Sequence, residues 1–450
     1  MSKDIRIKKG LDIKLVGEAE QITTKIPFGG VYAIKPDSFH GITPKLIAKE
    51  GAEIKAGETL FYSKNDERIL FPSPVSGKVT EIVRGARRKV LVMKITANPT
   101  QEFKDFGTKD ISKMSGEEVK NHLLSSGCWP FIKQRPYDVI ANPNQAPKAI
   151  FISAYASAPL AADYDYTLKG KETEIQAALS AVGKLTAGKV HVSIAKDTVN
   201  SPFENIKGIE IHKVSGPHPI GNVSTQIAKI DPINKGEVVW VITPQDLVVI
   251  GELLLTGKLN LERTIALTGS QFNKPQYVSA IAGSSISAIV KGNVDAGNAR
   301  VISGNVLSGT QVKLDDFLGF YDNQITAIPE GDDYELLGWT KPVFNKISSS
   351  RALTFSWLNP NKKYDLDTNT NGEHRAFVIT GAYEQVFPLD IYPMQLLKAC
   401  MYKDLDEMEA LGAYEIAPED FALTEFICVS KQPHQKIIRE GLDLLKQELG

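Results

Sequence analysis

Hydrophobic and polar positions change rhythm three times along the chain. Over the first hundred residues, short β-rich runs alternate with Gly, Pro and Asp punctuation. The runs are Gly30-Val31-Tyr32-Ala33-Ile34, Lys45-Leu46-Ile47-Ala48, Thr59-Leu60-Phe61-Tyr62 and Val90-Leu91-Val92-Met93-Lys94-Ile95. Such spacing predicts a small antiparallel β-barrel or sandwich. From about Gly116 the period lengthens. Glu117 to Ser125 carries Val119, His122, Leu123 and Leu124 on one side and predicts a helix. Further helices are predicted at 172–185 and 244–256, between apolar runs at 149–152, 190–194, 209–212 and 238–242. Alternating strands and helices with continuously apolar strands predict an α/β layer on a mostly parallel sheet. From Glu262 short strands return around one helix near 285–290, which suggests a small β-grasp-like module. The last hundred residues are helical, with apolar residues at helical spacing over 394–402, 405–411 and 433–449. The texture therefore divides the chain at 1–105, 106–257, 258–342 and 343–450.

Composition narrows the function. The chain has 450 residues, enough for about three domains. Its net charge of -1 argues against nucleic acid as a partner, since such chains carry a basic excess. Cys128, Cys400 and Cys428 are far apart, which excludes a disulfide framework and any centre that needs about four thiolates. Sparse, unpaired cysteine fits a reducing compartment. No secretory h-region is visible, and apolar stretches such as Ile150 to Ala162 are too short to span a bilayer. A soluble, cytoplasmic chain that can dock on a membrane partner is expected.

The chemistry in the motifs is thin. No G-x-G-x-x-G and no Walker motif offers a phosphate cradle. Neither H-E-x-x-H nor G-x-S-x-G occurs. Ser215-Gly216-Pro217-His218-Pro219-Ile220-Gly221 is a stiff loop presenting one imidazole, either a proton relay or a satisfied structural histidine. Asn369-Thr370-Asn371-Gly372-Glu373-His374-Arg375 is a polar turn, either a recognition loop or a solvated one. Trp129, Phe131 and Tyr137 line an apolar slot for a flat ring or pack as an ordinary loop.

Glu50 to Leu60 and Phe71-Pro72-Ser73-Pro74-Val75-Ser76-Gly77-Lys78-Val79 resemble the two halves of lipoyl/biotinyl barrel-sandwich hybrids. The tip between the halves reads Asn65-Asp66-Glu67, with Lys64 off register, so a docking module is favoured over a swinging arm. Five further motifs occur in order: Lys8-Lys9-Gly10-Leu11-Asp12-Ile13, Ser215 to Pro219, Arg300-Val301-Ile302-Ser303-Gly304, Thr370-Asn371-Gly372 and Phe387-Pro388-Leu389-Asp390-Ile391. Together they resemble the NqrA family, the A subunits of Na+-translocating NADH:quinone oxidoreductases, from about residue 5 to the C-terminus.

The resemblance extends to the C subunit of the Rnf complex and the flavoprotein subunit of respiratory complex I. It implies a Rossmann-like α/β domain, a β-grasp module of the soluble-ligand-binding type, and a helical domain like a ferredoxin without its cluster. Gly127-Cys128-Trp129-Pro130-Phe131 stands where those relatives carry a glycine-rich flavin loop. Ser153-Ala154-Tyr155-Ala156-Ser157-Ala158-Pro159 replaces their acidic segment. Cys428 is the one cysteine left in the second cluster-type run, and Phe387 stands at a ligand position of the first. The family therefore implies no cofactor on this chain, with flavins and iron–sulfur centres on other subunits and quinone as substrate. It implies a peripheral subunit on the cytoplasmic face of the bacterial inner membrane, docked on the membrane-embedded B subunit within a six-subunit complex. Phe39 and His40 lie in a segment the family places near quinone, and His40 is a candidate donor to a quinone carbonyl. Trp129, Phe131 and Tyr137, with Arg135 as donor, form the second candidate stretch; packing is the plain alternative for each. Two other readings stay open: an assembly subunit without a ligand, and an Rnf-type electron-transfer subunit.

Overall fold

A computed structural model of the chain describes residues 2–294, 297–332, 336–338, 344–348, 350 and 353–450. The expected boundary near 342 lies outside the described residues. Two small sheets form first. Val31–Ile34, Val90–Ala97, Gly77–Arg84 and Glu53–Ile54 are joined antiparallel, and Pro44–Leu46, Thr59–Ser63 and Asp66–Pro72 form the second sheet. Phe39, Phe61 and Phe71 fill the space between them, with Phe61 and Phe71 stacked at 4.6 Å. The hairpin between Thr59–Ser63 and Asp66–Pro72 turns at Lys64 and Asn65, one residue earlier than expected. A register shift at Tyr62/Ser63 moves it. The tip does not stand free: Asn65 Nδ2 donates to the Gly41 carbonyl at 3.1 Å.

The α/β layer follows the apolar runs closely. Its sheet runs Asp4–Arg6, Glu210–Ser215, Lys189–Ala195, Ala149–Ser153, Val239–Val241, Lys133–Arg135, Val139–Ile140, the first five parallel and the last two antiparallel. Ile150, Ile152, Val190, Val192 and Trp240 pack on the face covered by the helices Gly116–Ser126, Glu172–Val182 and Pro244–Thr256. Ala149, Phe151 and Val239 point the other way, under the helix Val223–Ile230. Burial on both faces is why these strands read as continuous apolar runs rather than alternating ones. Ser115 and Glu118 close a reciprocal capping box at the start of the first helix, and Gly127 at φ +77 ends it.

The third sheet runs Thr310–Val312, Ala299–Ser303, Gln324–Pro329, Glu262–Thr268, Gln276–Ile281, Glu20–Lys25, with the helix Ile286–Val290 against it. Residues 4–6 and 20–25 thus sit as edge strands of the α/β sheet and of this six-stranded sheet before the chain enters the two small ones. The C-terminal helices Pro393–Tyr402, Leu405–Ala410, Ala422–Phe426 and His434–Leu449 enclose Phe387, Leu396, Leu397, Met408 and Phe421. Phe387, at a cluster-ligand position in the resemblance, is a core side chain 4.8 Å from Phe421. Cys428 is buried in a separate small cluster with Tyr383 and Met394, and its Sγ meets the Tyr383 hydroxyl at 3.1 Å.

Candidate functional site

One residue block joins three of these units. Phe39 contacts Phe71 at 4.4 Å and Phe320 at 4.8 Å, and Phe131 stacks on Phe320 at 5.3 Å. Phe39 and Phe131 are 2% and 1% exposed. Trp129 is fully buried, lies edge-on to Trp240 at 5.3 Å, and donates from Nε1 to the Ala141 carbonyl at 2.7 Å. Trp129 thus packs on Trp240 and Phe131 on Phe320, while Tyr137 lies against Tyr414, so the three rings do not enclose a common slot.

Arg135 is also buried. Its Nη2 meets Glu419 at 3.2 Å and its Nη1 lies 3.5 Å from Asp138. Burial opposes its charge, but Asp138, Glu419 and Asp420 together hold the guanidinium protonated. It bridges the α/β layer to the C-terminal helices.

His40 and Tyr137 are brought together at a cleft of about 520 Å³ between the first sheets, the α/β layer and the C-terminal end. This volume is in the range of small-molecule sites. Ile42, Ile69, Val139, Ile140 and Val238 give it apolar walls, and Gln134, Asn142 and Gln145 give it amides. Tyr137 sits at φ +79 and Asp138 at φ +51, an unusual pair of positive dihedrals for residues with side chains. Arg439 holds this turn: its Nη2 donates to the Tyr137 carbonyl at 2.8 Å. The same guanidinium donates from Nε to Asp443 at 3.0 Å, and Asp443 meets His40 Nε2 at 2.7 Å. The two candidate stretches are therefore tied together through Arg439 and Asp443, neither of which the sequence brought forward. Their i,i+4 spacing on a helix is the signature of an ordinary surface pair, so nothing in the sequence singles them out. Across the cleft the Tyr414 hydroxyl donates to Glu409, and Lys235 reaches the same carboxylate at 2.8 Å. Burial raises the Tyr137 phenol above its ordinary range.

His191, His212 and His218 are built into the packing. His218 is buried, and its Nδ1 lies 2.9 Å from Ser157 Oγ while its backbone N–H donates to Asp12. Burial pushes it down to about 4, so it stays neutral and shows no imidazole to solvent. His191, Glu210 and His212 are the one group of three metal-type ligands among the described residues. The Lys3 backbone N–H donates to His212 Nδ1 at 3.0 Å. That lone pair is thereby used, so the neutral ring carries its proton on Nε2 and points it at His191 Nδ1, 3.0 Å away. In this tautomer His212 offers no lone pair to a metal, and the group reads as a buried imidazole pair. The cysteines are all buried, and burial pushes the Cys400 thiol up to about 12. The polar turn around Asn369 to Arg375 is exposed and anchored by Arg375 N–H on the Ser430 carbonyl at 3.0 Å.

Fold and cleft define a mixed α/β multidomain chain in which no helix among the described residues is long and apolar enough to cross a membrane. Three sequence profiles match it in chain order: the NqrA N-terminal barrel-sandwich hybrid domain over 5–98, the NqrA second alpha/beta domain over 114–259, and the NQRA C-terminal domain over 264–313. The A subunit of the Na(+)-translocating NADH-quinone reductase of Neisseria meningitidis serogroup A is 39% identical over 99% of this chain and 100% of its own. The subunits of the same name from Histophilus somni and Yersinia pestis are each 35% identical over the same shares. The chain belongs to this NqrA family, the A subunits of the Na+-translocating NADH-quinone reductase, an oxidoreductase complex. A solved NAD+-reducing [NiFe]-hydrogenase is 10% identical over 51% of this chain and 52% of that chain, with a TM-score of 0.35, too remote to bear on the site.

Proposed function

We propose that this chain is the peripheral subunit that contributes the quinone site of its complex, and that the cleft between His40 and Tyr137 receives the quinone headgroup. The observation that carries this reading is the convergence of the two candidate stretches on a single ligand-sized cleft with apolar walls and a polar floor. A flat ring with two carbonyl acceptors needs that combination: apolar faces for the ring and donors at its edge. The side-chain amides of Gln134, Asn142 and Gln145 are such edge donors, and His40, its Nε2 engaged by Asp443, borders the ring beside them. Phe39, Trp129 and Phe131 act behind the cleft as the packed wall that fixes it, and Arg135 fixes the C-terminal helices against it. Electrons arrive from flavin and iron–sulfur centres on the other subunits. The chain docks on the membrane-embedded B subunit at the cytoplasmic face of the inner membrane.

The test is photolabelling of the assembled complex with a photoreactive quinone, followed by peptide mapping. Label on peptides containing His40 and residues 134–145 is expected. Label confined to other subunits would sink this reading and leave the chain in an assembly role.

A further inference from the structure

The charges around the cleft are almost all matched. Asp66 is held by Arg68 at 2.6 Å, and Glu237 by Lys148 at 2.6 Å. Glu409 takes both Lys235 and the Tyr414 hydroxyl. His40 faces Asp443, which also accepts from Arg439. Among the charged side chains, Lys446 is the exception. It lines the cleft from the last helix, His434–Leu449, and its half-buried ammonium has no ion pair and no hydrogen-bond partner among the described residues. Its Nζ would lie 3.5 Å from a Cβ built on Gly41, so it reaches across the mouth to the first sheets. Asp443, three residues earlier on the same helix, is already taken by His40 and Arg439. A half-buried ammonium without a partner loses hydration and gains nothing in return, which is tolerated where a ligand supplies the acceptor.

We infer that the Lys446 ammonium is the group that grips an acceptor oxygen of the ligand in this cleft, and that it gives the site a preference for ligands bearing negative charge on that oxygen. The inference rests on the quinone reading above and names the anchoring residue. Gly41, at φ +76, forms the opposite lip of the cleft mouth, in van der Waals range of the lysine. Burial lowers the Lys446 ammonium from its ordinary range, Arg439 adds to this, and Asp443 opposes it. The remaining titratable side chains that face the cleft, namely His40, Asp66, Tyr137, Glu237 and the Lys235–Glu409–Tyr414 set, carry their own partners, and the Gly450 carboxylate also borders it.

The experiment uses the assembled complex and competition against the photoreactive quinone. One competitor is a hydroxynaphthoquinone, which is an anion at neutral pH because its charge delocalises onto a ring carbonyl. The other is the neutral naphthoquinone of the same shape. Lys446→Met, Lys446→Gln and Lys446→Arg are compared with the wild type. The expected result is a preference for the anion of about tenfold in the wild type, the size of one charge-assisted hydrogen bond. Lys446→Arg keeps it, and Lys446→Met and Lys446→Gln lose it while the neutral competitor changes much less. An unchanged preference in whichever neutral variant assembles overturns the lysine's role and leaves the quinone site standing. Absence of label from this chain in the wild type overturns both.

Discussion

The Asp246–Arg263 pair offers the sharpest test of how the units are locked together. Arg263 Nη2 meets Asp246 Oδ1 at 2.6 Å, and both side chains are 1% exposed. Asp246 lies in the first turn of the helix Pro244–Thr256, and Arg263 in the strand Glu262–Thr268 of the third sheet. The guanidinium also lies 5.6 Å from the Phe131 ring centroid, at the back of the aromatic wall. Arg263→Met removes the cation and leaves a buried carboxylate with, among the described residues, only the Thr243 hydroxyl at 2.7 Å as a remaining side-chain donor. Breaking a buried pair from one side costs about 3–5 kcal/mol, because the surviving charge stays desolvated. Thr243 places the value near the low end. The double variant Arg263→Met with Asp246→Leu removes both charges and is expected to recover most of the loss. Urea unfolding of the chain measures the change, and hydrogen exchange of the strand Glu262–Thr268 localises it. A single variant within about 1 kcal/mol of wild type, or a double variant as unstable as the single one, would refute the reasoning.

Three further outcomes are expected. Arg439→Gln frees the Tyr137 carbonyl and one side of Asp443, and at about 1.5–3 kcal/mol for a charged hydrogen bond it should loosen the turn. Faster hydrogen exchange at residues 137–139 and weaker quinone labelling report it; unchanged exchange there would count against the clamp. Gly127→Ala forces a Cβ to within 2.9 Å of Pro72 Cδ at a φ of +77, so a loss of about 1–2 kcal/mol in thermal unfolding is expected, and a wild-type Tm would contradict it. Burial holds His122, His212 and His218 down to about 4 in the folded chain, against about 6.5 unfolded. Above pH 6.5 both states are neutral and stability is unaffected. As pH falls from 6.5 towards 4 the unfolded chain takes up protons that the folded chain refuses, so stability drops. The urea midpoint should be lower at pH 5 than at pH 7, and His218→Gln should shrink that difference; an equal drop in the variant would show that His218 is not a source of it.

The main helices and the central strands of the α/β layer were legible from hydrophobic period, whereas the helix Val223–Ile230 and the short strands Lys133–Arg135 and Val139–Ile140 were not. The helix Pro244–Thr256 carries Pro at its first position and Gly257 past its end, so local chemistry marks both limits. The strand Ala149–Ser153 is apolar over its first four residues because both of its faces are covered there. Motif order was enough to place the chain in its family. Aromatic content pointed to the right stretches, but not to what each ring does. Phe39, Trp129 and Phe131 are as apolar as any ligand wall would be, and only their burial against Phe71, Trp240 and Phe320 makes them core. Strand partnership was also hidden. Asp4–Arg6 and Glu20–Lys25 are too short and polar to announce that they close the edges of two later sheets.

Period, caps and turn residues act over a few positions, so many of the local states and the family could be read along the chain. The site came from docking of distant segments. His40 and Asp443 are 403 residues apart, and Arg439 reaches Tyr137 over 302. No local pattern encodes which carboxylate finds which cation once the units have docked. For the same reason the unmatched charge of Lys446 is visible only after every neighbouring charge has been given its partner.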